Sequence, residues 1–375
     1  MSINIPNKDQ WEKMNKHLSN IAGALGTQID TSTWEGVQKA VRAGVAPDLF
    51  PIGTQLMIHH NVYGDMLYDV VAHDHYKSVR DKNAHTMTLL SHDLIASLSF
   101  NGSDALYYAE NELPAGTYHF TIPSSYLSWE AKTYKFTLTK ALPKGGQLTI
   151  EGGNYDPATA TIKSYSNRTA TVATEECAIT VGNSGTNLGT VGVELNHIHR
   201  VINGSDNYKE SAIRQFLNSS AEAGSVWTPQ TKFDRPPSWV SSTEGFMKGL
   251  DEEFLNVVGT VVVHCSANGI YESPNSTIVV GSKYTVADKF YLPSSTEIFG
   301  TLDYVIEDDS TMFPYYKGAT NADRIKYRIG VAGYWWVRSG RYSNAGSTLC
   351  INSIGDIVYS NCTGDRGCVV ACTIV

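Results

Sequence analysis

The stretch Gly333–Gly346, GYWWVRSGRYSNAG, runs two adjacent tryptophans, Trp335 and Trp336, into small polar residues. Aromatic residues favour strands and carry large apolar area into a core, so the indole pair reads as a rigid buried strand. The Ser, Asn and Gly that follow read as turns and surface. Four of the six cysteines come next, Cys350, Cys362, Cys368 and Cys372. The segment closes on GCVVACTIV, residues 367–375, almost wholly apolar, as a strand covered on both faces should be.

Outward from this segment the chain alternates between short strands and short helices. From Phe50 onward QLMIHH (55–60), LYDVVAHD (67–74) and TMTLLSH (86–92) read as strands separated by Gly, Asp and Asn turns. AGTYHFTI (115–122), TYKFTLTKAL (133–142) and GGQLTIEGG (145–153) form a further β-rich stretch, which reads as a small domain inserted at 107–186. Helices are expected at 7–25, where Trp11, Met14, Leu18, Ile21 and Leu25 recur at three-and-four spacing, and at 32–44, which starts on a Ser/Thr cap and stops at Gly44. Two more are expected at 205–220, capped by Ser205 or Asp206 with Ile213, Phe216 and Leu217 on one side, and at 242–258. The fold class is α+β.

Composition narrows the function. Lys plus Arg is 29 against 37 Asp plus Glu, a formal charge of -8, which argues against a nucleic-acid partner. Charged residues are only 18% while Gly reaches 32 and Tyr 21, the balance of a loop-rich β protein with tyrosine-rich surfaces. The opening residues are polar, so no signal peptide is expected, and no apolar run is long enough for a membrane span. The expected site of synthesis is therefore a cytoplasm, with thiols initially reduced.

Two histidine pairs, His73-Asp74-His75 and His197-Ile198-His199, have the alternate spacing that can place two ligands on one strand face. Neither pair brings an evident third ligand. The terminal cysteines lack the tight knuckle spacing of zinc sites. No metal and no cofactor is expected, and no phosphate loop, nucleophile elbow or HExxH motif is present.

Five motifs occur in order: NYKESAIRQFLNSS (207–220), GFMKGL (245–250), FYLPSSTEIFG (290–300), GYWWVRSG (333–340) and GCVVACTIV (367–375). The ordered set resembles a C-type-lectin-like fold related to formylglycine-generating enzymes. It is closest to a domain of phages and gut bacteria that serves as the variable protein of diversity-generating retroelements. The resemblance implies a ligand-binding domain at 49–106 and 187–375, interrupted by the inserted β domain and preceded by a helical attachment segment at 1–48. It implies that Trp335, Trp336 and Arg338 are framework, with the arginine paired locally.

The ligand-binding residues would follow the framework strand: Arg341, Tyr342, Ser343, Asn344, Tyr359, Asn361, Thr363, Asp365 and Arg366. In such proteins this face is rewritten at template adenines, and a randomised Asn codon cannot yield Lys, Glu, Gln, Met or Trp. None of those five types occurs in residues 337–375, although they number 56 in residues 1–336. Composition alone gives that absence a chance of roughly one in a thousand. The implied role is a phage or prophage tail protein of the virion that binds a bacterial surface protein or glycan. It would be homo-oligomeric, attached to other tail proteins, and not an enzyme. The other readings are a structural virion protein without receptor role and an oxidase of the formylglycine-generating type; Cys362 and Cys368 lie in the region of that enzyme's cysteine pair without an evident match.

Overall fold

The computed structural model describes residues 29–102, 204–230, 236–267, 282–302, 308–341 and 346–375, with strand segments between 106 and 181 and residues 114 and 141. The expected helix at 7–25, the pair His197 and His199, and Tyr342, Ser343 and Asn344 lie outside the described residues.

The chain enters through α1 (Trp34–Arg42). Thr33 caps it by accepting from the Gly36 N–H, Glu35 sits in its first turn, and Lys39 and Arg42 sit in its last. Val37, Ala40 and Val41 form its buried stripe, and Trp34 packs on Phe254 at 4.7 Å between ring centroids. The helix stops at Gly44, whose φ of +72° favours glycine. A single turn, α2 (Ala46–Leu49), leads into the hairpin β1 (Gln55–His60) and β2 (Gly64–His73), then β3 (Met87–Ser91) and β4 (Ser97–Ser99).

Six strands follow: β5 (Leu106–Tyr108), β6 (Gly116–Ile122), β7 (Lys132–Leu138), β8 (Gln147–Glu151), β9 (Thr159–Tyr165) and β10 (Ala173–Val181). They form one sheet in the order β5-β8-β9-β10-β7-β6, with every pairing antiparallel.

After Gly204 come α3 (Ala212–Leu217), α4 (Glu252–Val257), β11 (Val261–Ala267), β12 (Ser282–Asp288), β13 (Phe290–Tyr291) and α5 (Ser295–Phe299). The remaining strands are β14 (Lys326–Arg328), β15 (Val331–Gly333), β16 (Trp335–Gly340), β17 (Ser347–Ile351), β18 (Ile357–Asn361), β19 (Asp365–Gly367) and β20 (Ala371–Ile374). One sheet runs β1-β2-β3-β20-β13 and another β12-β11-β16-β17-β18, with β19 bridging β16 to β4. The protein is therefore α+β, built on mixed sheets with short helices.

The apolar terminal strand lies between β3 and β13, and both β3 and β20 are buried along their whole length. That is why neither sequence alternates. Trp335 and Trp336 are fully buried. Their indole N–H groups donate to the Arg324 carbonyl at 3.1 Å and the Leu98 carbonyl at 2.8 Å, so neither polar atom is left unpaired.

The sequence motifs meet in this core. Asn218 donates to the Phe290 carbonyl and accepts from the Lys289 N–H, joining the first motif to the third. Phe246 of the second touches both Phe216 and Phe290. Arg214 grips Asp288 through Nε and Nη2, at 2.7 to 3.0 Å.

Arg338 corrects the expectation of a local partner. It is 0% exposed and pairs with Glu297, also 0% exposed, from the motif that forms α5. Nη2 lies 2.6 Å from Oε1 and Nη1 2.9 Å from Oε2, a two-pronged pair. Further donors reach the carbonyls of His264 and Leu292. Glu297 also accepts from the Tyr76 hydroxyl and closes a capping box with Ser294. Every charge-bearing group of the pair is thereby hydrogen-bonded, which a buried ion pair requires.

Burial alone pushes the Glu297 carboxyl up, but the Arg338 charge, the neighbouring His75 and the bonds from Arg338 hold it below its ordinary 4.5. The unfolded chain therefore takes up this proton at higher pH than the folded one. The stabilisation is complete above pH 4.5 and is lost as pH falls through the folded-state pKa. Melting temperature should fall on acidification below pH 4.5, and the fall should be shallower in Glu297→Gln.

Candidate ligand-binding surface

Two clusters emerge from the residues that follow the tryptophan strand. Arg341 leaves the end of β16 and lays its guanidinium over the ring of Tyr359 on β18, 3.3 Å from the centroid. Leu349 stands opposite Tyr359, and Ser347 opposite Asn361, so Tyr359 and Asn361 share one face of the β17–β18 ladder. Tyr359 is 56% exposed, and Asn361 is exposed with Oδ1 3.4 Å from the Ser347 hydroxyl. A cation over an aromatic face at an exposed site is worth about 0.5–1 kcal/mol, enough to hold the ring as a flat platform.

Asp365 and Arg366 form the second cluster. Gly367 pairs in parallel with Trp335, which brings Arg366 alongside Tyr334. The guanidinium carbon lies 5.3 Å from the Tyr334 centroid, and Nη1 donates to the Asp365 carbonyl at 2.6 Å. By strand alternation Arg366 shares the face of Tyr334, Trp336, Cys350 and Val358, whereas Tyr359 lies on the opposite one. Thr363 is half-buried in the turn between β18 and β19. The expected binding residues thus fall on two faces of one sheet.

A neighbouring hairpin was not anticipated. β14 and β15 turn at Ile329-Gly330 and expose Tyr327, Ile329 and Val331, with Ile329 95% and Val331 70% exposed. Ile329 has a φ of +50°, a left-handed conformation that a β-branched residue adopts at a cost of order 1–2 kcal/mol. The hairpin and β19 border an open cleft of ≈ 320 Å³ lined by Arg328, Val331, Tyr334, Asp365 and Arg366 among others. Gly330 is the one turn residue the sequence offers there, and a β-branched Ile before it argues against the turn, so the hairpin was not legible.

The cysteines of the described core, five of the six, do not belong to this surface. Cys265, Cys350, Cys362, Cys368 and Cys372 are buried. Burial pushes the Cys350 thiol up to about 11 and Cys265 up to about 12, and raises Cys368 and Cys372 further, so these thiols stay protonated at neutral pH. Reading the residues after Trp336 as one diversified surface is corrected in this respect: most of β17 and β20 faces inward. The first histidine pair is also divided. Asp74 has a φ of +53° and breaks the strand, His73 Nε2 bonds the Phe50 carbonyl at 2.9 Å, and His75 Nε2 lies 3.8 Å from Glu297. No helix among the described residues is long and apolar enough to cross a membrane.

The site and fold define an α+β chain with exposed tyrosines beside half-buried arginines on a sheet. Residues 188–375, half of the chain, match the family described as a domain of unknown function (DUF6273), and the chain belongs to that family. No curated protein and no solved structure matches the chain.

Proposed function

We propose that this protein is a tail-associated receptor-binding protein of a phage or prophage, with a C-type-lectin-like domain whose exposed side chains after Trp336 hold a bacterial surface protein or glycan. The observation that carries the reading is where the exposed apolar side chains lie. Among the described residues, six of the eleven exposed large hydrophobics lie between 327 and 359, with Tyr327, Ile329, Val331 and Tyr334 just before the tryptophan strand and Ile354 and Tyr359 after it. Tyr359 stands on β18 beside the buried β17, and Tyr327 and Val331 on a paired hairpin, so these side chains are held in place before binding. Apolar exposure concentrated around one sheet in this way supports an interaction role. The lectin-like assignment is supported by the convergence of the ordered motifs on one core and by the buried tryptophan strand beneath the exposed residues.

The test uses Arg341→Ala, Tyr359→Ala, Asn361→Ala, Asp365→Ala, Arg366→Ala and Ile329→Gly, each assayed for melting temperature and for adsorption to a panel of bacterial isolates. Surface positions of this kind change stability by only about ±0.5 kcal/mol. Ile329→Gly should be neutral or slightly stabilising, because it removes the left-handed strain. At least one aromatic or arginine change should weaken adsorption by about 2 kcal/mol or more, roughly thirty-fold. Adsorption unchanged in every variant would favour a structural particle role.

A further inference from the structure

A cavity of ≈ 620 Å³ shares no residue with the surface above. It lies where the end of α1, the β2–β3 connection, the α4–β11 junction and the start of β13 meet. Arg42, Arg80 and Lys289 line it in a chain whose formal charge is -8. The Arg42 and Arg80 guanidinium groups make no hydrogen bond or ion pair among the described residues. Lys289 spends one donor on the Leu255 carbonyl at 2.9 Å. Burial, and then the Arg80 charge beside it, push its pKa below the usual lysine value.

Asp81 and the Val375 carboxylate are the negative groups of the lining. Asp81 is engaged with the Asn83 N–H, and the Val375 carbonyl oxygen accepts from Gln38. The remaining polar lining comprises amides and hydroxyls, from Gln38, Asn83, Asn256, Ser78 and Thr260, together with the His85 imidazole, whose Nδ1 lies 3.0 Å from Asp74, and it has no Phe, Tyr or Trp. Unpaired guanidinium groups suit a phosphate, which they grip through paired N–H donors. Amides and hydroxyls suit neighbouring hydroxyl groups, and the lack of an aromatic face disfavours a nucleobase.

We propose that this cavity is an anion site for a phosphate-bearing polyol or sugar, held by Arg42, Arg80 and Lys289. The test is calorimetric titration of the full chain with glycerol 3-phosphate, with glycerol as the uncharged control. A second arm uses vesicles of phosphatidylglycerol in phosphatidylcholine, which present the same headgroup chemistry on a lipid. Glycerol 3-phosphate should bind, glycerol should not, and added salt should weaken binding because exposed charges are screened. Arg42→Gln and Arg80→Gln, at exposed positions, should each weaken binding about ten-fold at unchanged melting temperature. Asp81→Asn should tighten it. Binding to vesicles alone, lost in Arg80→Gln, would still support the site and place its phosphate on a lipid. No binding of either probe, or binding indifferent to both arginine changes, would overturn the proposal.

Discussion

Glu297→Ala is expected to destabilise the protein by about 3–5 kcal/mol, because it strands the Arg338 charge in a fully buried position. Three losses coincide in this change. Arg338 forfeits both carboxylate contacts and keeps only the His264 and Leu292 carbonyls, the Tyr76 hydroxyl and a long contact to Ser310. The Tyr76 hydroxyl loses its acceptor, and the Ser294 N–H loses its cap. Glu297→Gln should cost less, since an amide oxygen still accepts one of these bonds. Combining Glu297→Leu with Arg338→Met should recover part of the loss, because no unpaired charge then remains. Chemical denaturation of the four proteins measures this directly. A Glu297→Ala cost within about 1 kcal/mol would mean that the pair does not hold β16 against α5.

Trp336→Ala should cost a similar amount, about 3–5 kcal/mol, as a large-to-small change in a closed core. The ring meets Phe100 edge-on at 5.7 Å, and its N–H is the donor to Leu98. Leu98 stands opposite Arg366 across the β4–β19 pairing, so the indole also holds the backbone that presents Asp365 and Arg366. Binding should therefore decline together with stability. Trp336→Phe should lose less, retaining the edge contact while leaving the Leu98 carbonyl without its donor. A Trp336→Ala protein of native stability that had lost adsorption would assign the indole to the ligand site instead of the framework.

Local chemistry made α1 and the terminal strand legible: a Thr cap, a periodic stripe and Gly44 in one case, an unbroken apolar run in the other. The helices expected at 205–220 and 242–258 are shorter because tertiary packing interrupts them. Ser211 is extended and starts α3 afresh, so Ser205 and Asp206 do not cap it. In the second case a side chain on Gly249 would fall 2.0 Å from the His60 ring, and one on Gly245 would collide with the Ser219 carbonyl. The chain bends there to admit those neighbours, and no local pattern encodes them. The Arg338–Glu297 pair was hidden for the same reason, as its partners lie 41 residues apart. At the site, residue types favourable for binding were readable, but which of them face outward depends on a register that only the paired strands fix.

The central claim is that a fixed scaffold carries replaceable contact residues, and sequencing the 3′ end of the gene across the population that carries it tests this most directly. The account predicts substitutions at adenine-containing codons concentrated at outward-facing positions such as Arg341, Tyr359, Asn361, Asp365 and Arg366. It predicts constancy at Trp335, Trp336, Arg338 and the buried cysteines. Substitutions spread evenly over buried and exposed positions, or invariance at all of them, would contradict it.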